Sequence, residues 1–144
     1  MEITQFFEKD LDKLIEEISL FKNEEDVWKT KKGISNSAGN LTLHLIGNLN
    51  YFIGTALGHT NYIRNRDKEF SLKNIPREKL IEDLKELPEM IGRTLSKISD
   101  DEAKITFPWP VNDKELSIQN MMIHLLAHLN YHLGQINYLR RILG

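Results

Sequence analysis

Residues 117–144 read SIQNMMIHLLAHLNYHLGQINYLRRILG, and their apolar side chains recur at every third or fourth position. This spacing predicts an amphipathic helix over residues 118–142. Ser117 is a favoured N-cap residue, and Leu116 and Met121 have the spacing of a hydrophobic staple across that cap. The stretch therefore predicts one long helix that packs its apolar stripe against other helices.

Three histidines occur at four-residue steps in this helix: His124, His128 and His132. Each step rotates about 40° around the axis, so all three line one face at the edge of the core-facing stripe. His124 and His132 lie about 12 Å apart along the axis, so one ion can bind either neighbouring pair but not all three. A further ligand must come from another helix, where His44 is the best candidate. His59, about 22 Å beyond His44 along a continuous helix, is expected at a surface or helix end.

A core histidine can also be buried without a metal when it is hydrogen-bonded, and spacing alone leaves both interpretations open. Three histidines on one inward face favour a metal, because each buries two polar nitrogens that need partners. Other catalytic patterns are missing from the sequence. It contains no Glu-x-x-His pair of the di-iron bundles, no His-Glu-x-x-His, no P-loop, no dinucleotide fingerprint and no Gly-x-Ser-x-Gly elbow.

Three further segments have helical periodicity, at residues 3–22, 37–58 and 76–98. Polar loops are expected between them, at 23–36, 59–74 and 100–115. Together with the last helix they predict an all-α four-helix bundle. The first helix is expected to bury one stripe of apolar residues: Ile3, Phe6, Phe7, Leu11, Leu14, Ile15, Ile18 and Phe21.

Two of these helices contain residues that disfavour a helix. The second begins at Ser37, a good N-cap, and contains Gly39, Gly47 and Gly54. Each glycine costs ~1 kcal/mol relative to alanine, which indicates close approach of a neighbour or ligand. In the third helix, Pro88 is expected to introduce a kink or a break.

Composition restricts the function classes. A chain of 144 residues with 40% apolar residues suits a single domain over residues 1–144, and a net charge of -2 argues against nucleic-acid binding. The absence of cysteine excludes disulfides and cysteine nucleophiles. No signal peptide is recognisable and no apolar run approaches the ~18 residues that span a bilayer, so the expected compartment is the cytoplasm.

Residues 128–136, HLNYHLGQI, resemble the last-helix signature of DinB-like proteins, which usually reads His-x-x-x-His-Arg-Gly-Gln. Residues 36–45, NSAGNLTLHL, resemble the start of that family's second helix, where a serine precedes a histidine. GNLN at 47–50 and RNRD at 64–67 are similar to one subgroup of the same superfamily. The resemblance extends over essentially the whole chain. Leu133 departs from it, because the family often has an arginine there and this chain therefore lacks that charge.

The resemblance implies a DinB-like four-helix bundle with one divalent metal (Zn, Ni, Fe or Mn) on His44, His128 and His132. Asn48 and Gln135 are then expected to orient ligands or contact a bound group, and polar packing between helices is the equally weighted alternative. Three neutral histidines leave coordination positions open, which is the pattern of catalytic sites.

Characterised DinB-like relatives include thiol transferases that act with bacillithiol or mycothiol, and a mycothiol-dependent maleylpyruvate isomerase. We therefore expect a metal-dependent thiol S-transferase that acts on a small electrophile. The alternatives are a hydrolase that uses a metal-bound water and a non-catalytic metal-binding or interaction module. Expected partners are a small-molecule thiol, an electrophile and a second copy in a homodimer, with neither nucleic acid nor membrane.

Overall fold

The computed structural model describes residues 1–144 and contains five α-helices. No β-sheet forms, and extended pairing is limited to two isolated bridges between residues 106 and 117. The prediction of an all-α fold is confirmed. The helices are α1 Thr4–Ser19, α2 Ala38–Leu49, α3 Arg66–Ser71, α4 Arg77–Leu95 and α5 Ile118–Leu143.

The four long helices bury their apolar stripes in one cluster of 27 residues. α1 contributes Phe7, Leu11, Leu14 and Ile18, all without solvent exposure. Phe6, which was expected in this stripe, is 49% exposed, so that prediction is wrong. Phe6 directly precedes Phe7, a rotation of about 100° around the helix axis, and therefore lies outside the buried stripe.

The predicted serine caps are confirmed. The Ser37 hydroxyl accepts a hydrogen bond from the backbone N–H of Asn40, and the Ser117 hydroxyl accepts one from Asn120. Pro88 lies inside α4 but does not divide it. The buried stripe of α4 continues across the proline, so packing against the core outweighs the lost backbone hydrogen bond.

The glycines of α2 lie where neighbouring groups come close, as predicted. A Cβ on Gly39 would overlap the Trp28 ring, and a Cβ on Gly47 would overlap the Glu69 carboxylate. Around Gly54 the α-helix widens into a π-helical segment, Asn50–Thr55. The second predicted helix is therefore present but not uniformly α-helical.

The segment 59–74 was predicted as a loop, and that prediction is wrong for α3. The N-terminus of α3 is capped by the Asn65 side chain, which accepts from the backbone N–H of Lys68. Shorter 3-10 turns occupy Glu24–Trp28 and Glu102–Lys104 in the other loops. No helix in the structure is both long enough and apolar enough to cross a membrane.

Candidate metal centre

Three histidine side chains converge between α2 and α5. The Nε2 atoms of His44 and His132 each lie 3.1 Å from His128 Nε2. All three ligand atoms lie within 4.8 Å of one another. Tetrahedral coordination at 2.0–2.1 Å would separate neighbouring nitrogens by about 3.3 Å, so this spacing matches a three-histidine ligand set.

The outer nitrogens of two of these rings already have acceptors. His44 Nδ1 donates to Glu69 Oε1 at 3.0 Å, and His132 Nδ1 contacts Gln135 Oε1 at 2.7 Å. In the neutral rings, a proton on Nδ1 leaves Nε2 with a free lone pair. The unprotonated Nε2 atoms of His44 and His132 therefore both face His128 Nε2. A neutral His128 carries a single ring proton, so it can donate a hydrogen bond to only one of them at a time. A cation at the centre would satisfy all three nitrogens together.

Two buried polar atoms near these histidines have no hydrogen-bond partner in the protein: His128 Nδ1 and Asn48 Oδ1. Asn48 lies one turn after His44 on α2. Coordination through His128 Nε2 would place the ring proton on Nδ1, and no protein acceptor lies within hydrogen-bond distance of that atom. The set of three neutral imidazole nitrogens fits a bound divalent ion.

The local electrostatics keep two of the rings neutral. Burial, with the nearby His132 and His44 rings, lowers the pKa of His128 to about 4. Burial also lowers the pKa of His132, against the effect of its hydrogen bond to Gln135. Neutral imidazole is the form that binds metals, so both rings are ready for coordination near pH 7.

A buried carboxylate and a guanidinium form the outer layer of the cluster behind His44. Glu69 accepts from Arg64 Nε at 2.9 Å and from Arg64 Nη2 at 3.0 Å, in a two-point pair. Burial raises the pKa of Glu69, but hydrogen bonds from His44 and Arg64 outweigh it and the net pKa lies below 4.5. An ionised Glu69 fixes the tautomer and orientation of His44. Arg64 also places a positive charge near the site although Leu133 carries none.

α2 holds α3, the helix that carries Glu69, in place. The Asn40 side-chain amide donates to the backbone oxygens of Glu69 and Leu72, which fixes α3 against α2. Gly47 then leaves room for the carboxylate itself. The backbone and the side chain of residue 69 are thus both held by α2, through Asn40 and His44.

The remaining predicted residues take different places. Gln135 contacts His132, as an orienting residue would, and Asn48 lies one turn after His44 on α2 without a hydrogen bond at its side-chain oxygen. His124 and His59 are exposed and do not belong to the cluster. The binding roles of Asn48 and Gln135 stay predictions, as does metal ligation by the three histidines.

Sequence reasoning missed Glu69 and did not assign a role to Arg64. The one signal was Gly47, whose predicted close neighbour is the Glu69 carboxylate. Gly47 lies three residues after His44, so the two face similar directions on α2. That spacing pointed to a close neighbour on the histidine face, but not to which residue it would be.

A solvent-open cleft of about 530 Å³ adjoins the cluster. It lies between the loop at 33–36 and the C-terminal half of α5, and both His132 and Gln135 line it. No acidic residue, cysteine or fourth histidine joins the three-histidine group. The cluster therefore has three protein ligands beside an accessible space.

Comparison with known proteins gives a family but no described activity. A search of curated proteins found no match. Residues 3–144 match a family model described as "Protein of unknown function (DUF1572)". The matched residues include the three histidines, Glu69 and Arg64. Because the match covers nearly the whole chain, this protein belongs to the DUF1572 family.

Proposed function

We propose that the protein is a DinB-like enzyme that uses a divalent metal ion to transfer a low-molecular-weight thiol, of the bacillithiol type, to a small electrophile. The observation that carries the proposal is the convergence of three imidazole nitrogens beside an open cleft. The sequence motifs around His44 and His128 that resemble DinB-like proteins support the same assignment.

The ligand set favours an enzyme over a structural metal site. Structural zinc sites are closed by four protein ligands, whereas catalytic sites keep three and leave a position for substrate. Here the cluster has three histidines and adjoins a cleft large enough for a small molecule. A non-catalytic module would have no need for this access.

The chain's own residues prepare the site. A divalent ion such as Zn, Ni, Fe or Mn would lower the pKa of a thiol that reached it, so that the thiolate is available near neutral pH. Glu69 holds the His44 ring by its Nδ1 proton, and Gln135 does the same for His132. These hydrogen bonds aim both Nε2 lone pairs at the centre before any substrate arrives.

The thiol must be a cosubstrate, because the chain contains no cysteine. In the transfer step the thiolate sulfur forms a bond to the electrophilic carbon, and the bond from that carbon to its leaving group breaks. The leaving group departs with the electron pair, and the thiol proton passes to solvent. Hydrolysis, with water in place of the thiol, is the nearest alternative at the same ligands.

The test compares two histidine variants of the last helix. Metal-loaded wild type, His128→Ala and His124→Ala are incubated with bacillithiol and an aryl halide, and formation of the thioether is followed by mass spectrometry. His124 is the matched control, one turn away and outside the cluster. We expect thioether formation by wild type and His124→Ala only.

Cobalt substitution gives a second measurement. Bacillithiol should change the visible spectrum of the cobalt-loaded wild type, because a thiolate would enter the coordination sphere. No spectral change with any low-molecular-weight thiol would refute thiol transfer. Release of halide without a thioether, sensitive to His128→Ala, would favour hydrolysis instead.

A further inference from the structure

The cleft beside His132 has a volume of about 530 Å³, within the range of about 300–1,000 Å³ typical of small-molecule sites. Leu41 lines it from α2, three residues before His44, and His132 lines it from α5. The two helices that carry the histidine cluster therefore also form the cleft. A molecule bound there would lie next to the cluster.

The cleft walls are apolar and carry no lysine, arginine, aspartate or glutamate. Its apolar side chains are Ile34, Leu41, Tyr131, Tyr138, Leu139 and Ile142. Neutral hydrogen-bonding groups come from Ser35, Asn36 and Gln135. In the metal-free protein, a charged group entering this space would lose water without meeting an opposite charge among the residues that line it, whereas a neutral polar group would find partners.

Large apolar side chains stay exposed around this cleft. Tyr131 and Tyr138 are each 65% exposed, Ile142 is 55% exposed and Ile34 is 37% exposed. The Tyr131 ring meets the His132 ring edge to face, with centroids 5.3 Å apart. Exposed apolar residues gathered around one cleft are typical of a binding groove, and Tyr131 offers a ring face for stacking, whereas the Arg141 guanidinium already lies 5.4 Å from the Tyr138 ring centroid.

We propose that this cleft binds the uncharged, apolar body of the electrophile, with aromatic rings preferred. This inference rests on the proposed function and adds the chemical class of its second substrate. The walls select against a charge on the part of the substrate that enters, and the position beside His132 presents the electrophile to the thiol site.

The test measures binding without turnover. Nitrobenzene is the neutral probe, and para-nitrobenzoate adds one negative charge to the same ring. Neither probe transfers a group to a thiol, so calorimetry on the metal-free protein reports affinity for the cleft alone, without attraction of the carboxylate to a bound cation. We expect nitrobenzene to bind at least about tenfold more tightly, the ratio that corresponds to 1.4 kcal/mol.

Two lysine variants of α5 test the location. Ile142→Lys puts a cation in the cleft and should lower the preference for nitrobenzene by about tenfold or more, since it pairs with the carboxylate of the anionic probe. Ile123→Lys is the matched control, because Ile123 is 52% exposed on the same helix and does not line the cleft. Tyr138→Ala should weaken nitrobenzene binding while metal content stays unchanged.

The outcomes separate this inference from the proposed reaction. Equal affinity for both probes, or an Ile142→Lys variant that behaves like Ile123→Lys, would overturn the assignment of the cleft. Neutral-probe selectivity in a protein without thiol transfer would overturn the reaction, and the cleft would remain a site for neutral apolar ligands. Thiol transfer that Ile142→Lys and Tyr138→Ala leave unchanged would place the electrophile elsewhere.

Discussion

Two buried glutamates of this protein have similar surroundings. Glu17 on α1 is 4% exposed and Glu69 on α3 is 6% exposed. Each accepts from an arginine Nε, at 2.6 Å from Arg140 and at 2.9 Å from Arg64. Burial raises the pKa of both, but the hydrogen bonds that each accepts outweigh burial, and both net pKa values lie below 4.5.

The two glutamates differ in their remaining partner. Glu17 also accepts from the Asn137 amide at 2.6 Å, and this group of three side chains connects α1 to α5. Glu69 instead accepts from His44, whose second nitrogen points into the histidine cluster. A buried carboxylate beside an arginine thus either fastens two helices or orients a histidine of the cluster, and the third partner determines which.

The largest expected effect is the loss of bound metal when the histidine cluster beside Glu69 is disrupted. His128→Ala deletes the nitrogen that lies between the other two, so metal content should fall from about one ion per chain to background. His124→Ala, one turn earlier and exposed, should keep the metal. Elemental analysis of the purified proteins is the measurement. A full complement of metal in His128→Ala would contradict the three-histidine assignment.

Exchanging the two glutamates for glutamine separates their roles. Glu69→Gln should weaken metal affinity by about 10–100-fold, because the His44 ring loses its charged acceptor. Glu17→Gln should leave metal affinity unchanged and lower the free energy of unfolding by about 1–3 kcal/mol, since the new amide donor faces Arg140 and Asn137. Competition with a coloured chelator and urea unfolding measure the two quantities. Equal changes of metal affinity and of unfolding free energy in the two variants would contradict the different roles assigned to Glu69 and Glu17.

In metal-free protein, acid should remove the stability contributions of the histidine cluster and of Glu17 in different pH ranges. An unfolded histidine titrates near 6.5 and folded His128 near 4, so the unfolded chain takes up the proton first. Stability is then lost as pH falls from about 6.5 to about 4. The folded pKa of Glu17 lies below 4.5, so its contribution is complete above 4.5 and is lost as pH falls through the folded value.

Melting curves in chelator across this range test the windows. Wild type and Glu17→Gln should lose melting temperature with the same slope between pH 6.5 and pH 4.5, and His128→Ala with a shallower one. Below pH 4.5, Glu17→Gln should show the weaker dependence. An unchanged upper slope in His128→Ala would contradict the neutral burial of that ring.

The smallest expected effect on metal affinity comes from adding one methyl group at Gly47. Gly47→Ala places a Cβ against the Glu69 carboxylate, so metal affinity should fall by up to about tenfold. Gly134→Ala is the control, because nothing lies within 4 Å of its Cβ and α5 should gain ~1 kcal/mol of stability. Chelator competition and thermal melting report both effects. Equal metal affinity in the two variants would show that the carboxylate moves aside without consequence.

The long helices and their caps could be predicted because their signals are local. Periodicity found all four, and Ser37 and Ser117 marked two N-termini. The shared face of His128 and His132 also follows from helix geometry alone. α3 could not be predicted, because a six-residue segment with one apolar residue, Phe70, has no helical period, and its anchor, Asn40, lies 29 residues before Glu69.

The short helix α3 couples ligand binding at the histidine cluster to the folding of a surface segment. A six-residue helix is too short to be stable alone, so its order depends on contacts with the rest of the protein, among them those of Asn40 and His44 with residue 69. Local opening of this segment withdraws the carboxylate from His44. By thermodynamic linkage, a ligand that favours the oriented imidazole also favours the closed segment. Occupancy of a buried centre is thereby coupled to the local unfolding equilibrium of an exposed stretch of chain.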